Sequence, residues 1–118
     1  MKTETQKPST RRRAHKYVTR HLKNWCTERY RDGKLHCVSK PALEYASGSK
    51  YWYRNGKLHR TDGPAIESSD GSKAWIRNGQ YHREDGPAII HADGSVLFCL
   101  YDEQLTKRQF QKATQRVK

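Results

Sequence analysis

The sequence predicts a mainly β protein: a single-layer antiparallel β-meander of stacked 23-residue hairpin repeats, flanked by an N-terminal basic amphipathic helix and a C-terminal helix. Three observations lead to this fold class. The segment 27–101 repeats itself at an offset of 23 residues, Asn-Gly and Asp-Gly pairs recur within it, and only 33% of the 118 residues are apolar. So low an apolar fraction argues against a thick two-layer core.

The N-terminal segment is strongly basic, since residues 1–24 carry eight basic side chains and one acidic one. Residues 1–10 are predicted to form a flexible basic tail. From Ala14 to Trp25, six residues follow one another at i, i+3, i+4, i+7, i+8 and i+11, which defines one face of an α-helix. We therefore predict a basic amphipathic helix over 11–25 whose apolar face docks on the open sheet.

The repeat is clearest in two copies. Residues 51–66 align with residues 74–89 at an offset of 23, and both copies end in His-Arg-x-Asp-Gly-Pro-Ala-Ile. An earlier copy is degenerate, because Lys40 stands where the later copies have glycine. A degenerate first copy is expected of a capping repeat. The last unit is expected to break off after Phe98.

Pairs of turn residues divide each copy into hairpins. Asn-Gly and Asp-Gly favour type I′ turns, because Asn, Asp and Gly tolerate positive φ. These pairs are Asp32-Gly33, Asn55-Gly56, Asn78-Gly79, Asp70-Gly71 and Asp93-Gly94. The runs between them are rich in Trp, Tyr and Ile, and are predicted to be strands of about five residues.

Residues that recur in equivalent positions are predicted to have structural roles. Trp52, Trp75 and Phe98 occupy one column of the repeat, and we interpret them as a packing spine shared by neighbouring hairpins. The His-Arg-x-Asp-Gly-Pro element is interpreted as a turn in which Asp bonds backbone amides and Arg or His braces it. Its members are His59, His82, Asp62, Asp85, Gly63, Gly86, Pro64 and Pro87.

These motifs resemble the MORN (membrane occupation and recognition nexus) repeat, in its divergent variant with a His-Arg-x-Asp-Gly-Pro-Ala element, as found in small viral and bacterial proteins. The resemblance covers roughly residues 27–101 as three repeats, the first degenerate. The chain departs from the standard unit after His59 and His82, where the spacing is longer and the next strand is shorter. The resemblance implies an elongated, twisted antiparallel sheet. It indicates little about function, since such repeats serve as scaffolds, lipid contacts and protein contacts alike.

The C-terminal segment 102–118 is predicted to be a helical cap. Thr106 and Gln109 have the spacing of a capping box, and Leu105 with Phe110 has that of a hydrophobic staple. A helix at this place would protect the exposed edge of the last strand.

Charge carries the functional prediction. Lys and Arg number 24 against 12 Asp and Glu, a net charge of +12, whereas residues 25–101 hold eleven basic and nine acidic side chains. The excess in the flanking segments predicts a non-enzymatic accessory module that contacts nucleic-acid phosphates, with RNA or a ribonucleoprotein ahead of DNA. The predicted contacts are Arg11, Arg12, Arg13, Lys16, Arg20, Lys23, Arg54, Arg77, Lys107, Arg108 and Lys112.

Two other binding functions stay open. A protein-interaction module, for example a small viral factor that binds and inhibits an acidic host protein, would use the same basic surface. The N-terminal helix could instead bind an anionic membrane surface, although its apolar face is needed to cover the sheet. The sequence predicts no cofactor, and it leaves the oligomeric state open.

Catalytic and metal chemistry are not predicted. His59 and His82, each with the Asp three residues on, could act as acid–base pairs, but they recur in matched form without a nucleophile. The four His and Cys residues between His21 and Cys37 lack the paired spacing of a zinc site. The three cysteines, an odd number without a secretory signal, indicate reduced thiols and a cytoplasmic location, the host cytoplasm for a viral protein.

Overall fold

The strands of the protein are short and follow one another in antiparallel pairs. A computed structural model describes residues 14–115. The elements are β1 (Tyr17–Leu22), β2 (Cys26–Arg31), β3 (Lys34–Leu35), β4 (Leu43–Tyr45), β5 (Lys50–Tyr51), β6 (Tyr53–Arg54), β7 (Lys57–Leu58), β8 (Ile66–Glu67), β9 (Lys73–Ala74), β10 (Ile76–Arg77), β11 (Gln80–Tyr81), β12 (Ile89–Ile90), β13 (Val96–Leu100), β14 (Glu103–Leu105) and α1 (Lys107–Gln115). Within these residues no helix has the length and hydropathy needed to cross a bilayer.

Most strands belong to one ten-stranded meander. Its order is β1-β2-β4-β5-β8-β9-β12-β13-β14, with β3 paired to β2 off this path. The pairs β6–β7 and β10–β11 form two small separate sheets. The shortest dimension is 19 Å. The radius of gyration is 18.8 Å, against the roughly 13–14 Å of a compact chain of this length. The predicted mainly β antiparallel meander is therefore confirmed, and it is thin and elongated.

The register places an apolar row across one face of the sheet. Cross-strand neighbours in this row are Leu43, Tyr51, Ile66, Ala74, Ile89 and Leu97. The adjacent row, on the opposite face, alternates in charge through Glu44, Lys50, Glu67 and Lys73. Directly opposed unlike charges and apolar pairs both favour this register. The buried core is correspondingly small and centres on Ala65, Ala74 and Ile76.

The strands predicted to be about five residues long are interrupted at the tryptophans. Residues before Trp52 pair in the long sheet as β5, and residues after it pair as β6 with β7. The Trp52 amide donates to the Ala65 carbonyl at 2.8 Å, and the Trp75 amide donates to the Ala88 carbonyl at 2.7 Å. Both alanines are fully buried. Each tryptophan therefore marks the point at which the chain leaves the long sheet for a short hairpin.

The helix predicted over 11–25 is wrong over the described residues. Tyr17–Leu22 form β1, which pairs with β2 along its whole length, and Arg11, Arg12 and Arg13 lie outside the described residues. Tyr, Val and Thr at the start of the strand favour extended structure, and pairing with β2 satisfies the backbone groups of alternate residues. The expected docking face is exposed, with Tyr17 at 67% and Trp25 at 63%. The membrane alternative depended on this helix and loses its basis.

The type I′ prediction is confirmed for three turns and wrong for two. Both residues have positive φ in Asp32-Gly33, Asn55-Gly56 and Asn78-Gly79. In Asp70-Gly71 and Asp93-Gly94 only the glycine does, with φ of 95° and 91°. The Asp70 side chain accepts the Ser72 amide at 2.9 Å, which holds a type I turn followed by a left-handed glycine.

The C-terminal end differs from the prediction in its boundaries. The last unit does not break off after Phe98, because β13 continues into a Tyr101-Asp102 turn and β14. The helix begins at Lys107, so 102–105 are turn and strand rather than helix. The capping box is confirmed: the Thr106 amide donates to Gln109 Oε1 at 2.9 Å and the Gln109 amide donates to Thr106 Oγ1 at 3.1 Å.

Candidate nucleic-acid interface

Three short hairpins place basic side chains beside their turns. Arg31 lies opposite Lys34 in β2–β3, and Arg54 lies opposite Lys57 in β6–β7. Arg77 lies opposite Gln80 in β10–β11. The hairpin-tip row is the set Arg31, Lys34, Arg54, Lys57 and Arg77. Among residues 14–115, no carboxylate lies within ion-pair distance of any of these five side chains.

Neighbouring tips are joined by hydrogen bonds. The Gly56 amide donates to the Leu35 carbonyl at 2.9 Å, and the Gly79 amide donates to the Leu58 carbonyl at 2.8 Å. The guanidinium of Arg54 donates from Nη2 to Asn78 Oδ1 at 3.3 Å. Arg31 makes the equivalent bond to the asparagine of the following tip, at 2.6 Å. The row is therefore held by the scaffold and is not a set of independent tails.

Histidines connect each unit to the next tip. His36, His59 and His82 accept at Nδ1 from the amides of Asn55, Asn78 and Tyr101, at 3.0, 2.9 and 3.0 Å. An imidazole that accepts at Nδ1 is neutral, with its proton on Nε2. Burial lowers the pKa of His36, and the nearby Arg31 and Arg54 lower it further. Burial, Arg54 and Arg77 lower the pKa of His59 in the same way.

The predicted tryptophan column forms cation–π stacks. Arg60 lies over the ring of Trp52, and Arg83 lies over the ring of Trp75, each with Cζ 3.7 Å from the ring centre. Phe98, the third member of the column, instead packs against Phe110 of α1, with ring centres 4.7 Å apart. The helix therefore supplies an aromatic ring in the place where the earlier units have a guanidinium.

Each stacking arginine also braces its own loop. Arg83 donates from Nη1 to the Pro87 carbonyl at 3.1 Å and from Nε to Asp85 at 2.9 Å. A Cβ at Gly86 would lie 2.9 Å from the Arg83 Cζ atom, so glycine is needed for close approach and not for its φ. Asp85 therefore accepts a hydrogen bond from the Arg83 guanidinium, whereas the sequence predicted that it accepts from backbone amides. The equivalent bonds are Arg60 to Pro64 and Asp62, beside Gly63.

The degenerate first unit keeps the guanidinium but takes it from another strand. Arg29 occupies the tryptophan column, and its Nη1 donates to the Pro41 carbonyl at 2.7 Å and to the Glu44 carboxylate. Cys37 stands in the arginine column of this unit. Because Cys37 carries no guanidinium, position 40 accepts a lysine, whereas the equivalent positions of the later units need glycine.

An open cleft lies beside each tryptophan. The cleft at Trp75 has a volume of about 520 Å³ and is bordered by charges of both signs. They are Arg60, Arg77 and Arg83 with Asp62, Glu84 and Asp85. The cleft at Trp52 is smaller, about 140 Å³, and is bordered by Arg54 and residues of the preceding loop. Arg54 and Arg77 are therefore members of the tip row that also border the clefts. The arginine stacked on each ring supports the structural interpretation of the tryptophans.

The predicted nucleic-acid contacts that the structure describes are divided among the tips, β1 and α1. Arg54 and Arg77 lie in the tip row. Lys16, Arg20 and Lys23 lie on or beside β1, with Arg20 3.6 Å from Glu28. The remaining described contacts are exposed on α1, namely Lys107, Arg108 and Lys112.

The imidazoles do not bond to the aspartates of their own elements. His59 accepts from Asn78, while Asp62 accepts from Arg60. His82 Nε2 lies 3.2 Å from Glu84 rather than from Asp85. Within residues 14–115 no three His, Cys, Asp or Glu side chains are grouped to hold a metal ion.

Sequence reasoning missed Arg31, Lys34 and Lys57. The signal was present, because Arg31 precedes Arg54 and Lys34 precedes Lys57 by the 23-residue offset. No protein-family profile, curated protein or solved structure matches this chain.

Proposed function

We propose that the protein is a non-enzymatic module that binds the phosphate backbone of a nucleic acid through the hairpin-tip row. The observation that carries this proposal is the run of five cationic side chains on successive hairpins that have no carboxylate partner among residues 14–115. Phosphates spaced along a strand are the natural counter-charge for cations spaced along a scaffold.

The rest of the sheet neutralises its own charge. Glu44 pairs with Arg29, Glu67 with Arg60, and Asp85 with Arg83. The alternating row on the sheet places two lysines opposite two glutamates. Within the described repeat segment, the cations without carboxylate neighbours therefore lie mainly at the tips, where their charge attracts a polyanion. Further exposed cations lie on β1 and α1.

The tip arginines keep donors for a ligand. A guanidinium has five N–H donors, and the bond from Arg54 to Asn78 uses one of them. The remaining donors suit bidentate contact with a phosphate. The tip row consists of Arg and Lys side chains, which contact phosphates irrespective of base sequence, so the proposed recognition is of backbone and charge.

The test is binding of labelled single-stranded RNA and duplex DNA to the full chain between about 50 and 200 mM salt. A logarithmic salt slope near −0.9 is expected for each duplex phosphate neutralised. Lys57→Gln with Arg77→Gln should reduce the steepness of that slope by about 2. Lys50→Gln with Lys73→Gln removes the same charge from strands β5 and β9 of the long sheet, away from the tip row. This variant should leave the salt slope nearly unchanged. A flat slope, or equal losses in both variants, would contradict the proposal.

We also propose that the 23-residue segment is a MORN-like structural unit. Recurrence of the histidine bonds, the tryptophan stacks and the buried alanines at this interval supports the proposal. Such a unit gives the tips their constant spacing, since each unit adds two strands, or about 10 Å, along the sheet.

A further inference from the structure

The two ends of the long sheet are finished differently. The last hairpin, β13–β14, is covered by α1, whose Phe110 is buried against Phe98. At the other end β1 is outermost, and every side chain from Tyr17 to His21 is exposed. Within residues 14–115, no further strand or helix pairs with this edge.

Alternate residues of β1 direct their main-chain groups away from the sheet. The Lys16 carbonyl accepts the Asp32 amide at 2.8 Å, so the even-numbered residues of this strand bond toward β2. The amides and carbonyls of the odd-numbered residues then point to the open edge. These residues are Tyr17, Thr19 and His21.

The charged side chains on β1 and directly beside it are all basic. The cations are Lys16, Arg20 and Lys23. The nearby carboxylates already have partners, since Glu28 lies 3.6 Å from Arg20 and Asp32 lies 2.7 Å from the His15 imidazole. A second copy of the chain would bring the same cations to the same edge, and like charges oppose that pairing. A strand rich in carboxylates would meet unlike charge.

We propose that the β1 edge accepts an acidic, extended segment of a partner protein as an added antiparallel strand. Lys16, Val18 and Arg20 alternate onto one face, so the favoured segment has acidic residues opposite Lys16 and Arg20 and a β-branched residue opposite Val18. Three outward residues of β1 supply the main-chain bonds. This edge adjoins the first tip, where Tyr17 lies opposite Arg31 and the Lys16 amide donates to Asp32, but it binds through the main chain of β1 rather than through the tip cations. The inference goes beyond the proposed function.

The probe is a synthetic peptide containing Glu-Thr-Val-Thr-Glu, added to the isotopically labelled full chain. Bound peptide should slow hydrogen exchange at the amides of Thr19 and His21 by at least about tenfold, with little change at Val18, which already bonds to β2. The same peptide with N-methyl groups on its β1-facing amides should lose that protection while keeping its charge. A peptide with lysine for glutamate should not bind.

Several results would overturn the inference. One is that the N-methylated peptide binds as tightly as the unmodified peptide, which would show that charge alone accounts for the contact. Another is a response confined to the tip row. A third is slow exchange of the Thr19 amide in the free chain, which would show that residues 1–13 or a second copy already cover the edge. Sedimentation at two concentrations then identifies which of these covers it.

A substitution at Thr19 separates this inference from the proposed function. Thr19→Pro removes an outward amide without removing a bond to β2, whereas Thr19→Val keeps the amide. The proline variant should lose at least about tenfold in peptide affinity, while the salt slope for RNA keeps its value because the tip row is intact. Unchanged peptide binding by a folded Thr19→Pro variant contradicts the inference alone. If that variant does not fold, the N-methylated peptide decides the question.

Discussion

His82 accepts a hydrogen bond at Nδ1 from the amide of Tyr101, 3.0 Å away, and the two rings lie 3.9 Å apart. Tyr101 has a φ of 47°, so the histidine fastens a residue in the left-handed region. His36 and His59 make the same bond to left-handed asparagines in the two preceding tips. Each of these histidines therefore couples the conformation of one tip to the packing of the preceding unit.

Replacing His82 by phenylalanine should test this coupling. The ring is retained but the acceptor is lost, which leaves the Tyr101 amide without a partner and should lower the free energy of unfolding by about 1–3 kcal/mol. Urea unfolding of wild type and variant measures the difference. His91→Phe is the matched control, because His91 is exposed and contributes its main-chain amide and carbonyl to the hydrogen bonds of its turn. Equal losses in the two variants would show that the acceptor does not matter.

The lowered pKa values of His36 and His59 predict a pH dependence of stability. Below about pH 6.5 the unfolded chain protonates these side chains first, so the folded state loses stability as the pH falls. The free energy of unfolding should drop by about 1.4 kcal/mol per pH unit for each histidine until the pH reaches its folded pKa. Above pH 6.5 both states are neutral, and this contribution is constant.

Unfolding measured in denaturant at a series of pH values between about 7.5 and 5 tests the sign and the slope. The double variant His36→Gln with His59→Gln should flatten the curve in this window. The lowered carboxylate pKa values of Asp32, Asp70 and Asp93 act in the same direction but at lower pH, where those groups titrate. A wild-type curve that rises as the pH falls would contradict the assignment.

The sequence predicted those parts of the fold whose residue types determine the backbone locally. Asn55-Gly56 and Asn78-Gly79 have the chemistry of a type I′ turn, and Thr106 with Gln109 has that of a capping box. The equivalent turn at Tyr101-Asp102 has an aspartate but no glycine or asparagine, and its first residue is a tyrosine, so its sequence does not predict a type I′ turn. Its conformation is fixed from a distance, by the His82 bond to Tyr101 and by a 2.7 Å bond from the Tyr81 amide to the Asp102 side chain.

The N-terminal prediction failed for a related reason. The spacing from Ala14 to Trp25 fits a helix, but β2 lies alongside the whole of Tyr17–Leu22 and bonds the main chain of alternate residues. The periodicity of one segment contains no information about such a partner. The candidate site was predicted in part. Arg54 and Arg77 were found from their composition and place in the repeat, whereas the hairpin pairing that sets Lys34 opposite Arg31 and Lys57 opposite Arg54 was not.

Gly86 and Arg83 should be coupled in stability. Gly86→Ala places a Cβ 2.9 Å from the guanidinium carbon, which forces the arginine away from the Trp75 ring and the Pro87 carbonyl. The expected loss is about 1–2 kcal/mol. In an Arg83→Ala background the same glycine substitution should cost much less, because there is no guanidinium to displace.

The double-mutant cycle measures that coupling by urea unfolding of the four proteins. The degenerate first unit offers an internal precedent, since Cys37 and Lys40 occupy the equivalent positions there. Gly71→Ala is the contrasting control, because Gly71 has open space around it but a φ of 95°, so its cost arises from backbone strain and should not depend on Arg83. Equal costs of Gly86→Ala in both backgrounds would contradict the packing explanation.

Orientation and charge can be separated at the tips. Asn55→Gly with Asn78→Gly keeps both left-handed turns, because glycine adopts positive φ without strain, but it removes the acceptors that hold Arg31 and Arg54. All cations remain, so the salt slope for RNA should be unchanged. Affinity should fall by about two- to tenfold for each guanidinium that must now be ordered on binding. Lys57→Gln with Arg77→Gln should instead reduce the slope itself. A fall in the slope of the glycine variant would show that the turns, and not the arginine orientation, had been altered.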